Sequence, residues 1–130
     1  MSRRKSREQA FIFLFESTFG LQSMDEIITN AELIREETVE PFTKELFEGT
    51  LNKQNLLDEY IEKNLNGWNK DRLSKTAISI LRLAVFEMMF VDDIPLNVSI
   101  NEAVELAKKY STKQESAYIN GVLASISKSI

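Results

Sequence analysis

KDRLSKTAISILRLAVFEMMF, residues 70–90, decides how this sequence folds. Leu73, Ala77, Ile80, Leu81, Ala84, Val85 and Met88 return at intervals of three and four, the spacing of one helix face. At about 1.5 Å per residue such a helix spans roughly 30 Å, the width of a small domain. VDDIP at 91–95 stops it, because the residue before a proline disfavours helical geometry. Met88 and Met89 read as core filler.

Downstream, Asn97 is a good N-cap for a helix that carries Ile100, Val104 and Ala107 on one face. It closes with Lys108 and Lys109, whose charges suit a helix C-terminus. Thr112-x-x-Glu115 is a capping box opening a last helix that buries Ile119, Val122, Leu123 and Ile126. Asn120-Gly121 is ordinarily a hairpin signal, but the apolar residues around it keep helical spacing and override it.

Upstream, three helices are predicted. One runs near Asp25 to Glu36 with Ile27, Ile28, Ala31 and Ile34 inward. The next starts at Pro41, a residue favoured at the first helical position, and buries Phe42, Leu46 and Leu51, with Gly49 permitting a close approach. The third runs from about Asn55 to Gly67 with Leu56, Leu57, Tyr60, Ile61 and Leu65, and Trp68 follows in a loop at a core edge. At the start of the chain, Ser6-x-x-Gln9 reads as a capping box, which leaves residues 1–5 as a basic arm ahead of the first helix. Ala10, Phe11, Leu14 and Thr18 form its inward stripe. FIFLF at 11–15 also fits a buried strand, but its flanks lack turn residues. Ile12, Phe13 and Phe15 cannot all join the stripe, so this helix is either central or meets a partner on a second side.

Only Pro41, Pro95 and four glycines interrupt the chain, and it contains no repeat or long linker. The reading is one all-α domain over residues 1–130, with about seven helices.

Composition narrows the chemistry. The 130 residues include no Cys and no His, which excludes disulfides, thiolate nucleophiles and Ser-His-Asp or Cys-His catalysis. No Walker loop or GxGxxG occurs, and Asp92-Asp93 is a weak metal signal in what reads as a solvated loop. No catalytic residue, metal ligand or cofactor is therefore assigned. No stretch of about 18 apolar residues exists and the basic N-terminus lacks a signal peptide's apolar core, so a cytoplasmic protein is expected.

Net charge is −4, but residues 1–7 hold four cations (Arg3, Arg4, Lys5, Arg7) and no acid, while residues 8–62 hold three cations against thirteen acids. A separate basic end on an acidic chain suits local contact with a polyanion. Cations at a helix N-terminus are disfavoured by its partial positive charge, whereas a phosphate between them and the helix end reverses the sign. Single-stranded RNA also calls for stacking groups, and Tyr118 is the exposed-aromatic candidate.

Three blocks, SRRKSREQAFIFLF (2–15), ILRLAVFEMMFVDDIPLNVSINEAVELAKKYS (80–111) and YINGVL (118–123), carry a resemblance to the NusB family of transcription antitermination factors that spans essentially the whole chain. The resemblance implies a bundle of two packed helical subdomains without enzymatic activity. It implies a partner, the ribosomal protein NusE, and joint binding of boxA-type single-stranded RNA that nucleates an antitermination complex on RNA polymerase, notably in ribosomal RNA synthesis. It implies RNA contacts at Arg3, Arg4, Lys5 and Arg7 and, at the start of the last helix, at Gln114 and Tyr118. Family members often carry an acid where Gln114 stands. Phe15 and Ala77 fall on the implied NusE-facing surface, and Asn101, Glu102 and Asn120 are signature positions expected to serve packing and capping. NusB-like domains also precede RNA cytosine methyltransferases, but those need a cysteine nucleophile that this chain lacks. A module that holds only protein partners is the other rival, and monomer and homodimer are both compatible with the sequence. Arg7→Ala and Tyr118→Ala are expected to weaken RNA binding with thermal stability nearly unchanged.

Overall fold

The computed structural model describes residues 2–66 and 70–130. Gly67 and Trp68, read above as a helix end and a loop residue, lie outside them. The described residues form seven α-helices: α1 (Arg3–Ser17), α2 (Met24–Leu33), α3 (Pro41–Asn52), α4 (Gln54–Lys63), α5 (Lys75–Phe90), α6 (Leu96–Tyr110) and α7 (Lys113–Ser127). This is the expected all-α architecture. A single 3-10 turn at residues 70–72 precedes α5.

The decisive stretch is central. In α5, Ala77, Ile80, Leu81, Ala84, Val85 and Met88 are buried as expected, but Ile78, Ser79, Leu83, Phe86 and Glu87 are buried too. A helix enclosed on all sides is the core of a bundle. Its start lies later than the periodicity implies, because the Ser74 hydroxyl caps it by accepting from the Ala77 N–H at 3.0 Å. Around α5 the helices form two groups. α1 packs on α2, α3 and α5, while α6 and α7 pair with each other and both pack on α5. α4 touches α3, α5 and α7 and links the groups. α1 and α5 run antiparallel: Arg7 meets Glu87 at one end, and Lys75 donates to the Thr18 carbonyl at the other.

α1 is also central, the first of the two alternatives for its apolar excess. Phe13 is fully buried and meets Phe47 of α3 edge-on at 5.4 Å, while Phe11 meets the Tyr110 ring of α6 at 5.0 Å and Leu14 is buried as well. Gly49 permits the close approach foreseen for it. A Cβ built there would lie 2.2 Å from Cζ of Phe86, so the α5 ring occupies the space a side chain would take. Gly49→Ala is therefore expected to destabilise the protein by about 1–3 kcal/mol despite alanine's better helix propensity. Urea denaturation checks this, and Phe86→Leu in the same chain should recover part of the loss.

Several boundaries move. α2 starts at Met24 behind a full capping box, in which Ser23 accepts from the Glu26 N–H and Glu26 accepts from the Ser23 N–H. It ends before Ile34, which is 74% exposed and not inward. Leu56 is also largely outside the core. α6 is capped from Pro95 rather than Asn97, because the fixed proline φ already sets the entry to Leu96. Asn101 and Asn120 are exposed, so neither serves the buried packing assigned to it. Asn120-Gly121 stays helical.

Candidate nucleic-acid interface

The residues read as a basic arm are helix. Ser2, not Ser6, is the N-cap: its hydroxyl accepts from the Lys5 N–H at 3.2 Å, and Arg3, Arg4 and Lys5 form the first turn of α1. Ser6 is buried inside the helix. The tertiary structure overrides the Ser6 signal by supplying what the cationic turn needs, namely carboxylates from other elements. Arg3 donates to Asp93 Oδ2 at 3.1 Å, in the turn before α6. Arg4 grips Glu102 of α6 with Nε at 3.1 Å and Nη2 at 2.8 Å. Lys5 is exposed.

Arg7 goes inward. Its side chain is 7% exposed, and it donates through Nε (2.8 Å) and Nη2 (2.5 Å) to Glu87 of α5, itself 2% exposed. Its Nη1 lies 3.5 Å from Glu102 Oε1. Four charges thus run Glu87, Arg7, Glu102, Arg4 from the core to the surface. With Nε and Nη2 engaged by Glu87, Arg7 stands at the floor of the interface as a buried support rather than as the freely exposed cation expected of it. The same burial argues that its removal costs stability, against the expectation above. Position 7 lies on the same helix face as Arg3 but one turn further along α1, where α5 covers it.

Between α1 and α6 lies an open groove of about 350 Å³, lined by Arg4, Arg7, Glu8, Glu102, Glu105, Leu106, Lys108 and Lys109. Glu8 accepts from Lys109 Nζ and from the Tyr110 hydroxyl at 2.7 Å, which ties α1 to the end of α6. Lys108 and Lys109 remain mostly exposed. From Glu102 to Tyr110 the track follows about 12 Å of helix. It then reaches a second cleft of about 290 Å³, where Gln114 and Tyr118 stand beside Arg72, Leu73, Thr112 and Glu115. Gln114 is exposed, and Tyr118 is half-buried with its hydroxyl donating to the Leu65 carbonyl at 2.9 Å. Thr112 caps α7 by accepting from the Glu115 N–H at 3.0 Å. The Glu115 side chain turns away from that box and accepts from the hydroxyls of Ser111 and Ser74, joining the starts of α7 and α5. The predicted RNA residues therefore fall at two stations joined by the C-terminal half of α6.

Phe15 is half-buried, 6.3 Å from the Phe11 ring and 5.3 Å from the ring of Phe19, which is 50% exposed. Ala77 has no exposed surface, so its assignment to a partner-facing surface is corrected. It sits where the capped first turn of α5 enters the core, and Lys75 is exposed there instead.

Sequence reading missed the acids that organise the site. Glu87 was legible in principle: a lone carboxylate inside LAVFEMMF demands a buried cation. Asp93 reads only as half of a weak metal signal and Glu102 only as a signature position, and neither shows locally that it holds an arginine of α1. Their consequence is a pH dependence. The Arg4 hydrogen bonds hold the Glu102 carboxyl below the ordinary carboxylate value of 4.5, and Lys109 and Tyr110 do the same for Glu8. Both groups are easier to deprotonate folded than unfolded, so they stabilise the fold above that value and lose the contribution as pH falls through their folded values. Glu16, raised by burial, works weakly in the opposite sense. The urea midpoint is expected to drop below about pH 4.5, and to drop less steeply in Glu102→Gln. Equal slopes in the two proteins would remove Glu102 from this account.

The family model described as NusB family matches residues 4–128. The transcription antitermination protein NusB of Listeria monocytogenes serotype 4b (strain CLIP80459) is 43% identical over 126 residues, covering 97% of this chain and 96% of that protein. Among solved structures, T. maritima NusB superposes with a TM-score of 0.86 at 34% identity, over 98% of this chain and 92% of that one. The NusB-type chain in a crystal structure of antitermination factors NusB and NusE in complex with dsRNA also gives 0.86, at 25% identity over the full length of both chains. The matched span includes the first-turn cations from Arg4 onward, their acidic partners and the second cleft, and the chain belongs to the NusB family.

Proposed function

We propose that this chain is a transcription antitermination factor that binds boxA-type single-stranded RNA together with NusE. On this reading it nucleates an antitermination complex on RNA polymerase, notably in ribosomal RNA synthesis. The observation that carries the reading is the first turn of α1, where three exposed cations stand side by side and the two arginines are held in place by acids from other elements. Both guanidinium groups reach solvent, where ion pairs are weak, so a phosphate displaces or shares them at little cost. Arg3, Arg4 and Lys5 contact the backbone, Lys108 and Lys109 extend the track, and Gln114 and Tyr118 receive a base at the second cleft. Arg7 supports Arg4 from beneath through Glu102. Phe15, with Phe19, offers an aromatic edge for NusE. The protein acts by binding rather than by catalysis, in the cytoplasm.

The test is fluorescence anisotropy with boxA-like, scrambled and double-stranded RNA across a salt series, with and without NusE. The expected result is sequence-dependent binding that NusE tightens and that weakens steeply with salt. Absence of salt-dependent binding to any RNA in either condition overturns the reading in favour of a module that holds only protein partners.

A further inference from the structure

We propose that Phe42 is a positioning residue of the RNA interface, holding the Arg3 guanidinium in place without cancelling its charge. This rests on the RNA-binding reading above. Cζ of Arg3 lies 4.6 Å from the centre of the Phe42 ring, within range of a cation–π contact. Phe42 is firmly set: it follows Pro41 at the head of α3 and is half-buried against the core. Cζ of Arg7 lies 5.9 Å from the same ring, so the buried charge ladder and the surface arginine converge on it.

The chemistry of the holders differs. Glu102 orients Arg4 but neutralises it, and Asp93 does the same to Arg3 from a side chain that is 67% exposed. The ring has no net charge. It confines the long arginine side chain while leaving its attraction for a phosphodiester intact. When RNA displaces Asp93, the ring is the holder that remains. The exposed part of the Arg3 side chain, half its surface, is where the phosphate arrives.

The experiment measures binding of the full chain to a labelled single-stranded boxA-like oligonucleotide at low salt. It compares wild type, Phe42→Leu, Phe42→Met, Phe42→Tyr, Arg3→Ala and the Phe42→Leu/Arg3→Ala double variant, with folding checked by circular dichroism. Phe42→Leu and Phe42→Met are expected to weaken binding about two- to fivefold, the size of an exposed cation–π contact, while Phe42→Tyr binds like wild type. In the Arg3→Ala background the Phe42→Leu loss should vanish, a coupling that a purely structural role for the ring would not produce. Wild-type affinity in the folded Leu or Met variant overturns the proposal, as does an equal loss with and without Arg3. No binding by the wild-type chain refutes the RNA reading itself, and this assignment with it.

Discussion

Arg7→Ala is expected to lower the free energy of unfolding by about 3–5 kcal/mol, the cost of leaving one partner of a buried ion pair behind. Glu87 is 2% exposed on the central helix, and its carboxylate takes both the Nε and Nη2 protons of Arg7. Without the guanidinium, that carboxylate is left in an apolar setting without its partner, and this costs stability. For a domain of this size the loss corresponds to roughly 10–20 °C in Tm. The pair need not be better than an apolar core, since well-packed hydrophobic replacements of buried pairs are often neutral or stabilising. Arg7→Met with Glu87→Leu should therefore recover much of what Arg7→Ala loses. Thermal and urea unfolding of the two variants beside wild type test this. An Arg7→Ala protein within about 1 kcal/mol of wild type would mean that water reaches Glu87 and that the ladder does not anchor α1.

The contrast between Arg7 and its neighbours shows what a linear reading of this chain can reach. Helical period identified every helix, and α5 most securely, because burial on nearly every side leaves a long apolar run that no other element matches. Gly49 was legible because a glycine inside a helix asks for a close neighbour, and Phe86 is that neighbour. Ends of helices were read less well. Ser6 with Gln9 looks like a capping box, yet Ser2 caps α1 and Ser6 is buried, since Asp93 and Glu102 make one more basic turn affordable. Those acids lie about ninety residues away in sequence, so nothing local announces them. The same distance effect governs the site. Four cations within five positions look equivalent in the sequence, but Arg3 and Arg7 share a helix face and differ in depth: Arg3 sits in the first turn at the solvent end of α1, while Arg7, one turn further in, reaches Glu87 of α5. Ala77 carries two readings, inward by its helical period and partner-facing by the resemblance, and its burial agrees with the first.

The second large effect is on RNA. Replacing Arg3, Arg4 and Lys5 together by glutamine is expected to weaken binding to a boxA-like oligonucleotide by roughly a hundredfold or more at low salt. Charge-assisted hydrogen bonds contribute about 1.5–3 kcal/mol each, and part of that is already spent here on Asp93 and Glu102. Glutamine keeps the side chains polar and leaves the dipole of α1 unopposed by cations, so the fold is expected to stay intact. Its cost is the lost partner of Glu102, whose side chain is 13% exposed and still faces Arg7. The diagnostic is the salt slope. Each phosphate contact on single-stranded RNA contributes about 0.7 to the slope of log affinity against log salt, so losing three should flatten it by about two. Lys108→Gln/Lys109→Gln, further along the groove, should flatten it by a smaller amount, because Lys109 is already engaged with Glu8. A triple variant with lowered affinity and an unchanged slope would show that these side chains hold the shape of α1 rather than the phosphates. An unchanged affinity would move the interface away from the first turn altogether, leaving the cleft around Tyr118 as the place where RNA is gripped.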